Sequence, residues 1–139
     1  MATTTYSFKN VVATLDRQSV YGFFEGDDVV MVTENADIGT GVVGADGSTI
    51  FSQAVNNAVT INVKLQHTSP THKRLGQLLR RQKEAGALGT GFQFAVADRA
   101  TGEGGATSEA YIQQAPDQAL GTNATVREWV LFAGDYRKS

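Results

Sequence analysis

From Val59 to Gln66 the chain alternates apolar and polar side chains without a break, and a few residues later the period changes. Successive side chains of a strand point to opposite faces, so this stretch is a strand with one apolar face made of Val59, Ile61, Val63 and Leu65. Ser69 then offers a helix N-cap and Pro70 a first helical position, and Leu75, Leu78, Leu79 and Gln82 recur at i, i+3, i+4, i+7. Gly86 ends the pattern, which predicts a helix from Pro70 through Glu84 or Ala85. Its other face is basic, with Lys73 and Arg80 opposite the stripe and Arg74 and Arg81 flanking it. Gly76, inside the helix, costs about 1 kcal/mol relative to alanine, which points to a close backbone approach or to a tolerated glycine.

The remaining segments favour strands. Tyr6, Phe8 and Val11-Val12-Ala13 predict a strand ending near Asp16, and Asp28 to Thr33 a second. Tyr21 to Asp28 suits a short strand ending in a tight acidic turn. Asn35 to Gly47 lacks any helical period and carries Gly39, Gly41, Gly44 and Gly47, which predicts a long, flexible connection. Loops of such length are usually functional or ordered by a partner. Further strands are expected at Thr49–Ser52, Phe92–Asp98, Ser108–Gln114 and Thr125–Ala133, for about seven strands and one helix. With 139 residues there is room for one domain, spanning 1–139.

Composition removes several function classes. The absence of cysteine excludes disulfides, thiolate metal sites and thiol nucleophiles. The N-terminus has no charged or apolar signal region and the longest aliphatic run is Val29–Val32, so synthesis in the cytoplasm and no membrane association are expected. Charged residues make up only 19%, and 15 Gly, 15 Thr and 9 Gln carry much of the polarity, a surface that costs little to desolvate. Charge is also segregated: residues 1–60 hold two cations and seven acids, residues 61–86 six and one, residues 87–139 four and six. A net charge of −2 lacks the basic excess of a protein that grips nucleic acid through its phosphates.

Apparent chemical motifs fail on context. Gly39-Thr40-Gly41-Val42-Val43-Gly44 spells a dinucleotide fingerprint, yet a turn-forming Ala45-Asp46-Gly47-Ser48 follows where a helix N-terminus is needed. His67 and His72 lack a placed third ligand for a metal, and Glu25, Asp27 and Asp28 lack the ligand ladder of a calcium loop. Asn123-Ala124-Thr125 is a formal glycosylation acceptor without a secretory context. No nucleophile elbow or P-loop occurs. No catalytic, cofactor or metal residue is therefore assigned, and the chain is not expected to be an enzyme.

Tyr21-Gly22-Phe23-Phe24-Glu25-Gly26-Asp27-Asp28, the run from Asn57 to Gln82 and the closing Val126-Arg127-Glu128-Trp129-Val130 resemble the tail tube proteins of long-tailed bacteriophages, especially contractile ones. The resemblance extends from Tyr6 to Arg137 and lies in whole segments. It implies a small antiparallel β-barrel or sandwich with one flanking helix, six copies forming a ring, and rings stacking into a hollow virion tail. It also implies a tape-measure protein inside during assembly, a sheath outside, baseplate and tail terminator proteins at the ends, and DNA passing through the lumen without specific binding. A related injection device, such as a bacteriocin or type VI secretion tube, is the alternative within this architecture. A monomeric ligand-binding barrel walled by Phe23, Phe24, Phe92 and Phe94, and a metal-assisted hydrolase using His67 and His72, are alternatives of other classes.

On the tube reading, the glycine-rich connection and the residues after it are expected to contact neighbouring copies, through Asp37, Ile38, Thr40, Val42, Val43, Ile50 and Phe51. Thr60, Asn62, Lys64 and Gln66, on the polar side of the alternating strand, are expected to face the lumen or a neighbour.

Overall fold

The computed structural model describes residues 5–26, 28–122 and 125–138. Asp27 of the acidic turn and Asn123 and Ala124 of the glycosylation sequence lie outside the described residues, as do Met1 to Thr4. After a 3-10 turn at Phe8–Asn10 come β1 (Val11–Leu15), β2 (Gln18–Ser19), β3 (Val30–Glu34), β4 (Gly39–Val43), β5 (Thr49–Gln53) and β6 (Val59–Gln66). Helix α1 (Pro70–Ala85) follows, then β7 (Phe92–Asp98), β8 (Gly104–Gln114), β9 (Val126–Ala133) and β10 (Arg137–Lys138).

The main sheet is antiparallel in the order β2-β1-β7-β8-β9-β6-β3, with β10 also on β8. Strand β8 is the pivot. Its first half pairs with β7 and β10, its second half pairs with β9, and Ala110 alone pairs with both Phe92 and Ala133. A register shift between Ile112 and Gln114 bends the strand there. The two halves of the sheet enclose one core, with Leu15, Phe92 and Phe94 from one side and Ile61, Val63, Leu65, Trp129 and Leu131 from the other. Leu75 and Leu78 of α1 complete it.

The mainly β class with one helix is as the sequence predicts, and the sheet is not closed into a barrel. Among the described residues β3 pairs only with β6, and β1 has only the two-residue β2 on its outer side. A cleft of about 410 Å3 separates these margins, lined by Val11, Val30, Val32, Val96 and Tyr136. Phe8 meets Phe23 edge-on beside it, with ring centroids 5.3 Å apart.

The alternation of β6 is realised residue by residue: Val59, Ile61, Val63 and Leu65 are buried and Thr60, Asn62 and Lys64 half-buried. The Oγ of Ser69 accepts from the N–H groups of Thr71 (3.1 Å) and His72 (3.4 Å), and Gly86 closes α1 in a left-handed conformation at φ 63°. Among the described residues nothing beyond its chain neighbours and the helix's own backbone lies within 4 Å of a Cβ placed on Gly76, so no internal close approach there requires that glycine.

Two expectations are corrected. Among its described residues, the segment expected as a short strand from Tyr21 to Asp28 forms none, because Gly22 and Gly26 take φ of +76° and +154° and break any ladder beyond the single bridge between Phe23 and Leu65. The segment instead pins the start of α1: the Tyr21 N–H donates to Thr71 Oγ1 at 3.0 Å, and the Ser69 hydroxyl donates to the Tyr21 carbonyl. A Cβ at Gly22 would lie 2.7 Å from that of Ser69, so the approach demands glycine.

The second correction concerns residues 35–47, expected as a flexible connection. Gly39–Val43 pairs with Thr49–Gln53 in an antiparallel hairpin separate from the main sheet. The turn is tied by Gly44 N–H to the Ser48 carbonyl (2.7 Å) and by Asp46 Oδ1, which accepts from Ser48 N–H and Oγ–H. Among the described residues nothing covers either face of the hairpin, so no burial pattern marks its strands in the sequence.

Candidate assembly surfaces

Three surfaces are built by these elements. The first is the β4–β5 hairpin. Register pairs Val42 with Ile50 and Gly41 with Phe51, so one face carries Thr40, Val42, Ile50 and Ser52 and the other Val43, Thr49 and Phe51. Val43 is 71%, Ile50 68% and Phe51 65% exposed, with Ile38 and Val42 nearly as open. Single exposed apolar residues are ordinary, but this many on one two-stranded element form a patch of the kind that marks an interaction site. Gly39 leaves room for the Phe51 ring, since a Cβ there would sit 2.5 Å from Phe51 Cζ. The structure thus gathers Ile38, Thr40, Val42, Val43, Ile50 and Phe51 on one projecting element, with Asp37 at its base.

The second surface is the outer face of β3, β6 and β9. Of the four residues predicted there, three are bound within the chain. Thr60 Oγ1 donates to Asn35 Oδ1 at 2.7 Å, and Gln66 Nε2 donates to the Phe23 carbonyl at 3.1 Å. Lys64 Nζ lies 3.0 Å from Asp28 and 3.7 Å from Glu128, and the hydrogen bond to Asp28 above all raises its pKa from the ordinary lysine value. Asn62 stands between Met31 and Val130 in register. Met31 and Phe132 share this face at 43% and 38% exposure, two apolar members that attention to polar positions misses. The outward alternation of Val126, Val130 and Phe132 along the closing strand is the sequence signal for them.

The third surface is a groove of about 410 Å3 between α1 and the segment 115–118. Trp129 and Leu79 form its apolar wall, Gly76 leaves the helix backbone open, and Lys73 and Arg80 stand at its edge. Arg127 lines it as well and is only 3% exposed, because its guanidinium donates to Thr125 Oγ1 and to the carbonyls of Val126 (3.1 Å) and Ala119 (2.8 Å). The Trp129 indole N–H donates to His72 Nδ1 at 3.0 Å. Burial first, then the Arg127 charge and His67, lower the His72 pKa from its ordinary value, so the imidazole is held neutral.

Nothing in this geometry gathers a reactive centre. The Nδ1 lone pair of His72 is occupied by Trp129, and among the described residues no three His, Cys, Asp or Glu side chains group as metal ligands. Phe92 and Phe94 are core, whereas Phe23 and Phe24 border a cleft, so the four phenylalanines do not wall one pocket. Among the described residues no helix is long and apolar enough to cross a membrane.

Solved structures share this fold. The cap terminating the anti-feeding prophage tube aligns over 100% of this chain and 93% of its own, at 11% identity and a TM-score of 0.59. The sheath-tube complex of PVC, an extracellular contractile injection system, aligns over 93% and 87%, at 10% identity and a TM-score of 0.54. The sheath/tube terminator of that system aligns over 100% and 99%, at 8% identity and a TM-score of 0.56. A comparison with curated protein sequences returns no match. The family model described as bacteriophage PhiTE tail tube protein matches residues 1–138, and the chain, a structural rather than catalytic protein, belongs to that phage tail tube family.

Proposed function

We propose that this chain is the subunit of a contractile-tail tube, a single tube domain that closes into hexameric rings and stacks them into the conduit for DNA ejection. The observation that carries the reading is the β4–β5 hairpin: a projecting element with apolar side chains on both faces and no cover among the described residues of its own chain. A head-to-tail contact closes a ring when its rotation permits, and a contact repeated along an axis gives an open filament. The hairpin contributes the contacts between rings or neighbours through Ile38, Val42, Val43, Ile50 and Phe51, assisted by Asp37 and Thr40. The outer face bearing Thr60, Asn62, Lys64 and Gln66 turns to the lumen or to an adjoining copy.

A net-negative subunit suits DNA that must slide without sticking, since no excess of cations replaces phosphate counterions. Sheath and terminator are the expected partners around and at the end of the tube, with tape-measure protein within and the baseplate as nucleus. The subunit is made in the host cytoplasm and resides in the virion tail. Electron microscopy of the purified protein tests the reading, with rings or tubes expected. Deleting Asp37 to Gly44 is expected to leave a folded subunit that no longer polymerises. Normal tubes from that deletion would remove the hairpin from the assembly mechanism.

A further inference from the structure

We infer that the groove beside α1 is the receptor for the β4–β5 turn of a second copy, an assignment that rests on the tube reading and says which surface the hairpin enters. Gly76 is the first observation. Gly41, Gly76 and Gly121 have open space around them without taking the positive φ of Gly47, Gly86, Gly89 and Gly102, and of the three only Gly76 lies inside the helix, where a glycine is costly. Nor does any neighbour among the described residues crowd it. A glycine costs helix stability at this position, so the space above it is explained by an element from outside the subunit that approaches the bare backbone.

Charge and shape identify that element. Among the described residues Lys73 and Arg80 make no ion pair, although Arg74 on the same helix is paired with Asp16. From Gln18 to Val63 the chain contains six acids and no cation, and the hairpin tip carries Asp46. That turn is narrow, because Gly44 and Gly47 flank Ala45 and Asp46 and bring no side chains of their own. Behind it stand Val43 and Val42, matched to the Trp129 and Leu79 wall of the groove. An acidic tip backed by apolar residues thus meets an apolar wall whose rim carries Lys73, Arg80 and Arg127 against the single acid Asp117. The hairpin of the same chain does not line the groove, so a hairpin seated there comes from a second copy.

The cysteine-free sequence makes a direct test possible. One copy carrying Ser48→Cys is mixed with one carrying Gln77→Cys under mild oxidation, and a disulfide-linked pair is expected to form well above the homodimers of either variant. Gly76→Leu should raise the melting temperature of the unassembled subunit while raising the concentration needed for tubes at least tenfold, because the side chain fills the receptor. Asp46→Lys and Arg80→Glu should each block tubes, and the two reversals together in one chain should restore them. Tubes that form normally from Gly76→Leu and both reversals, without the mixed disulfide, would overturn this assignment and leave the tube reading intact. Reversals that block tubes and are not mutually restored would likewise overturn the pairing of Asp46 with Arg80. A wild-type protein that forms no rings or tubes would instead remove the tube reading itself.

Discussion

Gln82 is the polar member of the otherwise apolar stripe of α1, and replacing it with methionine isolates what its amide does. Its Nε2 donates to the Ile112 carbonyl at 2.9 Å and its Oε1 accepts from the Ile112 N–H at 3.0 Å. Ile112 lies two residues beyond Ala110, where the pairing of β8 with Phe92 of β7 ends, so these backbone groups have lost their strand partner. The side-chain amide, with one donor and one acceptor, takes the place of a peptide group and continues the ladder. Methionine preserves the volume and the helix propensity but removes both bonds. At about 1 kcal/mol net for each hydrogen bond, with water reaching part of the exposed ladder, the loss should be about 2 kcal/mol. For a chain of this size each kcal/mol is worth about 3 to 6 °C, so the melting temperature should fall by roughly 6 to 12 °C. Hydrogen exchange adds the local readout: the Ile112 amide should lose protection while Leu131, across the sheet, keeps it. A Gln82→Met protein within about 0.5 kcal/mol of wild type in urea unfolding, with Ile112 still protected, would refute the argument, because that spread is what ordinary surface changes produce.

Leu78→Asp, which sets an unpaired carboxylate where a nearly inaccessible side chain packs, should abolish soluble folding; recovery of monomeric protein with a native circular dichroism spectrum would contradict the core assignment of α1. Protonation of His72 should weaken the fold. Its folded pKa lies below the unfolded value of 6.5, so its favourable contribution is complete above about pH 6.5 and is lost as pH falls through the folded pKa. His72→Gln should flatten that part of the stability curve measured by urea unfolding between pH 7.5 and 4.5, and an unchanged curve would show that His72 does not control it.

Strand β6 and helix α1 were legible because each buries a single face within the subunit and therefore repeats with its own backbone period. The same logic explains what was not legible. In the hairpin, Val42 and Ile50 point one way and Val43 and Phe51 the other, so apolar residues fall on both faces and the alternation that marks a strand is erased. Its glycines suggested looseness, yet Gly39 lies where the Phe51 ring leaves no room for a side chain, and Gly47 takes a φ of +87° in the turn. The groove escaped for a different reason: Gly76, Trp129 and Pro116 come from distant parts of the chain, and no local pattern records their meeting. A lone two-stranded hairpin is at best marginally stable in water, so apolar residues on both of its faces acquire a stabilising role only when other surfaces cover them. One subunit supplies no such cover among its described residues. The missing sequence period is thus the expected consequence of an element that shares its burial with neighbours on two sides. For that reason the hairpin should gain far more hydrogen-exchange protection on assembly than β6, which is already buried on its apolar face; equal gains in both would argue that the hairpin is not where copies meet.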